Sequence, residues 1–185
     1  MDLVRPAREY LDSYVDALNQ GWTSDSTRPW EIKGDLEQIK AYPQGFVDNQ
    51  DDRDGQGPPV MLPNGSTAPR LPGYQRWVWD GSFCGLLRVR WQPGTVDLPP
   101  YCLGHIGYAV VPWKQKRGYA TEALRQALPE VRELGLPYVE LVTDFDNVAS
   151  QRVITANGGV LVEEFVKPDS HFGGAAFRYR ISLGT

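Results

Sequence analysis

"VVPWKQKRGYATEALRQAL", Val110 to Leu128, decides the reading of this chain. An apolar run stops at Pro112, crosses a basic turn and becomes a helix at once. Proline offers no N–H to a strand ladder, so the strand ends there. Gly118 takes turn geometry that a Cβ would hinder. Beyond it Ala120, Ala123, Leu124, Ala127, Leu128, Val131 and Leu134 form one apolar stripe, so the helix packs on a sheet. The first N–H groups of such a helix lack internal partners, and its dipole adds positive potential. A phosphate fills both needs. Lys114, Lys116 and Arg117 add local charge, and the small Ala120 leaves room for a bulky ligand. The same residues also read as a plain strand-to-helix turn with solvated lysines. The spacing G-x-G-x-x-G is absent and no G-K-S/T follows, which argues against dinucleotide and P-loop sites.

Outward from this stretch the order of elements is regular. "LVRPA" is a candidate first strand, and Tyr10, Leu11, Tyr14, Val15 and Leu18 fall at helical spacing over Arg8 to Asn19. A weaker helix is predicted over Asp35 to Tyr42. Asp51 to Gly73 holds five prolines and four glycines in 23 residues, so it is read as a long loop. "YQRWVWD" and "CGLLRVRW" read as strands, the second alternating Leu87, Val89 and Trp91 against Arg88 and Arg90. "YCLGHIGYAVV" reads as a near-continuous apolar central strand. The helix after the turn is expected to reach Leu134, shortened or kinked by Pro129. "YVELVT" is a buried strand, "NVASQRVITAN" a short helix stopped at Gly158, and "VLVEEFV" with "AAFRYRISL" a closing hairpin. The predicted class is a single α/β domain, residues 1–185, with a mixed sheet and helices on both faces.

The chain has 185 residues and a net charge of −4, so a general nucleic-acid footprint is excluded. Cys84 and Cys102 lie in apolar surroundings without C-x-x-C spacing and read as reduced, buried and structural. With only two histidines, His105 and His171, no Cys/His metal site forms at recognised spacing. No apolar run approaches the roughly 20 residues of a membrane helix, and no signal pattern opens the chain. A cytoplasmic protein is expected.

"QKRGYA", Gln115 to Ala120, resembles the Q/R-x-x-G-x-G/A signature of the GNAT superfamily of acetyl-CoA-dependent N-acetyltransferases. "GHIGYAVVPWKQKRGYATEAL" is similar to that superfamily's fourth strand, pyrophosphate loop and third helix. "VELVTDFDNVASQRVITANGG" is similar to its fifth strand and fourth helix, including the Asn-x-x-Ser pattern at Asn147 and Ser150. The likeness covers roughly Tyr74 to Leu183 and is nearest an uncharacterised bacterial branch. It implies a twisted, mostly antiparallel sheet of about seven strands whose fourth and fifth strands splay apart. The cofactor it implies is acetyl-CoA, a co-substrate, with no metal. Its pyrophosphate would meet Gln115, Lys116, Arg117, Gly118, Tyr119, Ala120 and Thr121. The backbone of Ala109, Val110 and Val111 would bind pantetheine, with Asn147 and Ser150 beside it. Asn147 also reads simply as an N-cap.

The resemblance implies an N-acetyltransferase that joins acetyl to a primary amine in a ternary complex. The tyrosine that many members use to protonate the thiolate would fall at Ile154, which is apolar. Members often carry a strand-four carboxylate or histidine near Gly104 and Ile106, where this chain has none. His105 is the adjacent candidate base, although alternation turns it away from Ile106, the face expected to hold the acceptor. Glu140, Asp144 and Asp146 are further candidates. A non-catalytic acyl-CoA-binding module and a transferase of longer acyl groups are the alternatives. The expected partner is a small-molecule or peptide amine, with no nucleic acid and no membrane, and a homodimer stays open. Trp22, Trp30, Glu31, Tyr42, Glu163, Glu164, His171 and Phe172 fall where the fold places its acceptor, and aromatics with carboxylates suit a cationic amine.

Overall fold

The computed structural model describes residues 1–24, 31–62, 65–171 and 173–184. In chain order these form β1 (Asp2–Val4), α1 (Arg8–Asn19), α2 (Glu31–Ala41), α3 (Pro43–Asp48), β2 (Asp51–Asp52), β3 (Val60–Met61) and β4 (Thr67–Ala68). There follow β5 (Gly73–Trp79), β6 (Phe83–Arg90), β7 (Ile106–Val110), α4 (Tyr119–Arg132), β8 (Tyr138–Asp144), α5 (Val148–Ala156), β9 (Val160–Val166) and β10 (Ala175–Ser182).

Alternation along β6 organises the core. Leu87 and Val89 enter one cluster with Leu124, Val131, Leu141 and Ile154, beneath α4 and α5. Leu86 enters the other, with Leu11, Tyr14, Trp22, Phe46 and Trp77 beneath α1 to α3. By strand period Arg88 and Arg90 share the face of Leu86. Leu124 is fully buried, and its truncation to alanine would cost about 2–5 kcal/mol. Helices thus cover both faces, as expected.

The sheet has two parts. β1 and β2 pair with β5, β5 with β6 and β6 with β7, all antiparallel. β8, β10 and β9 form the second part in that order, also antiparallel. Between β7 and β8 no ladder forms; they meet only at one end, where His105 N–H donates to Glu140 O at 2.7 Å. The expected splay is present. Gly104 makes the meeting possible, because a Cβ there would stand 3.1 Å from Glu140 O and 3.3 Å from Val142 N.

Three expectations need correction. Tyr101 to His105 is not strand; the ladder begins at Ile106, and at His105 the chain bends and is held from both sides, its O accepting from Arg90 N–H and its N–H donating to Glu140 O. The weak helix begins at Glu31 within the described residues, and a separate helix follows after Pro43, a residue tolerated in a first helical turn. The long loop carries a small hairpin of β3 and β4. Helix α4 continues through Pro129 and ends at Arg132.

Candidate active site

The turn at the start of α4 is built from backbone. Lys116 has φ +60° and Gly118 φ +80°, so two left-handed residues curl the chain around one point. For lysine that conformation costs about 1–3 kcal/mol, the kind of local strain that clusters at ligand clamps. The first intrahelical bond runs from Glu122 N–H to Gly118 O at 3.0 Å. Tyr119, Ala120 and Thr121 therefore have N–H groups without a partner in the helix. Lys116 and Arg117 are exposed beside them. Lys114 is spent elsewhere: its Nζ contacts Asp80 at 2.6 Å, and Tyr119 Oη donates to the other Asp80 oxygen at 2.6 Å. Lys114 first and Tyr119 second hold the Asp80 carboxyl well below the carboxylate range. Gln115 Nε2 donates to Val110 O at 3.3 Å, and Thr121 O accepts from Asn157 Nδ2 at 3.1 Å.

The gap between β7 and β8 is a cleft of about 310 Å³. Val111 N–H donates to Cys84 O and Arg90 N–H to His105 O. Antiparallel alternation then commits Gly107, Ala109 and Val111 to β6 and turns the backbone of Ile106, Tyr108 and Val110 into the cleft. Of the three residues expected to bind pantetheine, Val110 faces the gap, whereas the Val111 N–H is already bonded. Asn147 caps α5, its Oδ1 accepting from Ser150 N–H at 3.0 Å. Asn147, Ser150 and Ile154 all line the cleft.

Tyr108 was missed by sequence reasoning. Its hydroxyl lies 2.8 Å from Ser150 Oγ and 3.2 Å from Ser150 O, inside the cleft. Burial pushes this phenol up to about 12, against the lowering effect of the Ser150 bond. The signal was available in the parity of Tyr108 with Ile106, which sends both toward α5.

His105 is the staple of the vertex. Its Nδ1 accepts from Glu140 N–H at 3.0 Å, so the proton resides on Nε2, which donates to Val96 O at 3.1 Å. Burial depresses its pKa, more than neighbouring Glu140 raises it. Both ring nitrogens are occupied and the side chain is 1% exposed, so it has no free edge toward a reacting amine. Glu140 is committed to Arg178 at 3.0 Å and Arg180 at 2.8 Å, and Asp144 to Lys167. Asp146 is exposed.

A second cavity, about 470 Å³, lies on the opposite face of the sheet, under α2, Asp52 and residues 58–62 and 69–71. It meets the cleft at Arg90, Tyr101 and Cys102, which line both. This is the face of Arg88 and Arg90, not of Ile106 as anticipated. Among the expected acceptor residues, Glu31 lines this cavity and His171 lines the cleft. Trp22 is core, edge-on to Phe83 at 5.1 Å. Tyr42 is 65% exposed, Glu163 pairs with Arg178, and Glu164 is exposed. Trp30 and Phe172 lie outside the described residues. Cys84 is buried as expected, but Cys102 is not, since no strand covers it on the shared rim.

Residues 3–160 match the family described as the GNAT acetyltransferase domain. The chain belongs to this family of acetyl-CoA-dependent acyltransferases. No curated protein matches it. Among solved structures it is similar to the microcin C7 self-immunity acetyltransferase MccE in complex with acetyl-CoA and AMP. The TM-score is 0.63 at 16% identity, over 97% of this chain and 91% of that one. A spermidine N-acetyltransferase SpeG chimera from Vibrio cholerae gives 0.61 at 15%, over 99% and 97%. A GNAT-family acetyltransferase from Streptococcus pneumoniae gives 0.60 at 15%, over 99% and 100%. At these identities the likeness is one of fold.

Proposed function

We propose that this protein transfers an acetyl group from acetyl-CoA to a primary amine by direct attack in a ternary complex. One observation carries the reading: a cleft edged by unpaired strand backbone opens at its vertex into a second cavity. Two substrates can therefore meet from opposite faces of one sheet. The unpartnered N–H groups at α4, with exposed Lys116 and Arg117, suit the pyrophosphate. The backbone of Ile106, Tyr108 and Val110 suits pantetheine, as an added strand would. Bound there, acetyl-CoA supplies a thioester whose carbonyl carbon accepts the amine.

The residues of the chain then have distinct tasks. Strand N–H groups facing the cleft polarise the carbonyl oxygen. Tyr108 turns its hydroxyl hydrogen from Ser150 O to the departing sulfur as the C–S bond breaks, while Ser150 Oγ–H donates to the phenol oxygen. A thiol titrates near 8.5 in general, well below this phenol, so Tyr108 stabilises the thiolate by hydrogen bonding without full proton transfer. His105 acts as a positioning residue that keeps the vertex closed. The proton released by the amine leaves through water or a carboxylate of the second cavity.

Acetyl-CoA at 100 times its Kd should stabilise the fold by about 2.7 kcal/mol, read as a rise in Tm that ATP and NAD do not produce. Equal stabilisation by those nucleotides would sink the reading. Because Cys102 lines both cavities, Cys102→Ala separates direct attack from a covalent acyl intermediate. Direct attack leaves turnover intact; loss of turnover with acetyl-CoA binding retained would establish the intermediate.

A further inference from the structure

The floor of the second cavity carries Arg88, whose charge acts on Asp35 and Tyr14 across the cavity but which forms no ion pair among the described residues. The Nε of Arg88 is buried and has no hydrogen-bond partner among the described residues. Buried Arg76, one strand away, is bonded to Glu130 and lies 3.3 Å from Asp51. Arg90, on the same face of β6, is held by its bond from Nε to Gly104 O at 3.0 Å. That bond places Arg90 at the vertex, where its Nη2 would lie 3.2 Å from a Cβ added to Gly107. The opposing wall is α2, which contributes Glu31 and Asp35 one helical turn apart. Asp35 accepts from Tyr14 Oη at 2.9 Å.

The buried Nε lacks an acceptor, and Arg88 itself lines the cavity, where an entering anion can pair with its charge. The fork of Arg88 matches carboxylate and phosphate oxygens alike. At the vertex Arg90 disfavours an ammonium and so favours the neutral amine that attack requires. The volume of about 470 Å³ falls in the range of small-molecule sites.

We infer that the acceptor is a small amine that also bears an anionic group, a carboxylate or a phosphate, and that Arg88 binds this group while the amine reaches the vertex at Gly104 and Gly107. The inference rests on the acetyl-transfer reading above and names the substrate class of that site.

The test compares amines of matched length: β-alanine, its neutral amide, 2-aminoethyl phosphate and a diamine. Each is assayed for acetyl-CoA-dependent CoA release, and separately for stabilisation of the CoA-bound protein. The anionic probes should be preferred, with the carboxylate and phosphate arms showing which anion fits. Arg88→Gln should raise KM for the preferred anionic probe about 10- to 100-fold, leaving acetyl-CoA affinity and the weak turnover of the neutral amide unchanged. Arg88→Lys should recover part of the loss, since charge survives without the fork. Preference for the diamine, or an equal effect of Arg88→Gln on neutral and anionic amines, would overturn the inference. So would the absence of both turnover and stabilisation with every anionic probe. Stabilisation by acetyl-CoA itself would persist in all these outcomes unless the acetyl-transfer reading also fails.

Discussion

The two cavities that meet at Arg90, Tyr101 and Cys102 are built from different material. The cleft is edged by the free backbone of β7 and the cap at Asn147, with the first-turn N–H groups of α4 beyond its lining. The second cavity is side chains brought from α2, α3, residues 58–62 and 69–71, and β6. Backbone sites follow from strand and helix ends, so they persist across large sequence change. Side-chain sites depend on which residues a fold happens to bring together, and they are what differs between enzymes sharing one scaffold.

The largest expected effect is on the backbone-built side. In Gly118→Val, a β-branched residue must adopt φ near +80°, a conformation that costs about 1–2 kcal/mol even for unbranched residues. The turn should rearrange and acetyl-CoA affinity fall about 100-fold or more by calorimetry, with Tm nearly kept, because no atom lies within 4 Å of the added Cβ. Unchanged affinity in a folded variant would move the phosphates elsewhere.

Next comes the side chain that the cleft does use. Tyr108→Phe should leave KM for acetyl-CoA alone and lower kcat about 10²-fold, the low end for a single transition-state hydrogen-bond donor. An unaffected kcat would mean the thiolate departs without Tyr108.

His105 is expected to show itself in stability more than in rate. Its folded pKa lies below its unfolded value of about 6.5, so the unfolded chain binds the proton more readily. Its contribution is complete above about pH 6.5 and is lost as pH falls from there through the lower folded pKa. Denaturant titrations from pH 7.5 to 5 should show this slope in the wild type and a weaker one in His105→Gln. The rate should fall less than 10²-fold, the low end of general-base effects, and still rise with pH as the amine deprotonates. A 10⁴-fold loss of kcat/KM would instead make His105 the base.

The smallest effect is expected at Lys114, whose charge is bound to Asp80. Lys114→Met should change acetyl-CoA affinity by less than about threefold, whereas a phosphate-bound lysine would contribute tenfold or more. A loss on the scale of Gly118→Val would show that the ion pair opens onto the ligand.

Sequence reading reached most of one region and little of the other. Helix α1 begins and ends where its apolar spacing placed it, and the turn at Gly118 was legible because local periodicity and one glycine encode it. The vertex was not legible. Strand parity turned His105 away from Ile106, but its bonds to Glu140 and Val96 join residues far apart in the chain. Tyr108 looked like one more apolar strand residue until α5 placed Ser150 against its hydroxyl. Arg88 and Arg90 looked like the solvent side of a half-buried strand, whereas α2 and residues 58–62 and 69–71 cover that face and turn it into a cavity.

By itself, the amino-acid sequence determined most of the elements, their order and the glycine turn that opens α4, since each depends on contacts within a few residues. Tertiary structure decided which edge of β7 stays open, which ring nitrogens of His105 are spent and which cavity Arg88 lines. Those outcomes depend on surfaces that meet only after the chain has closed, and no local spacing records them.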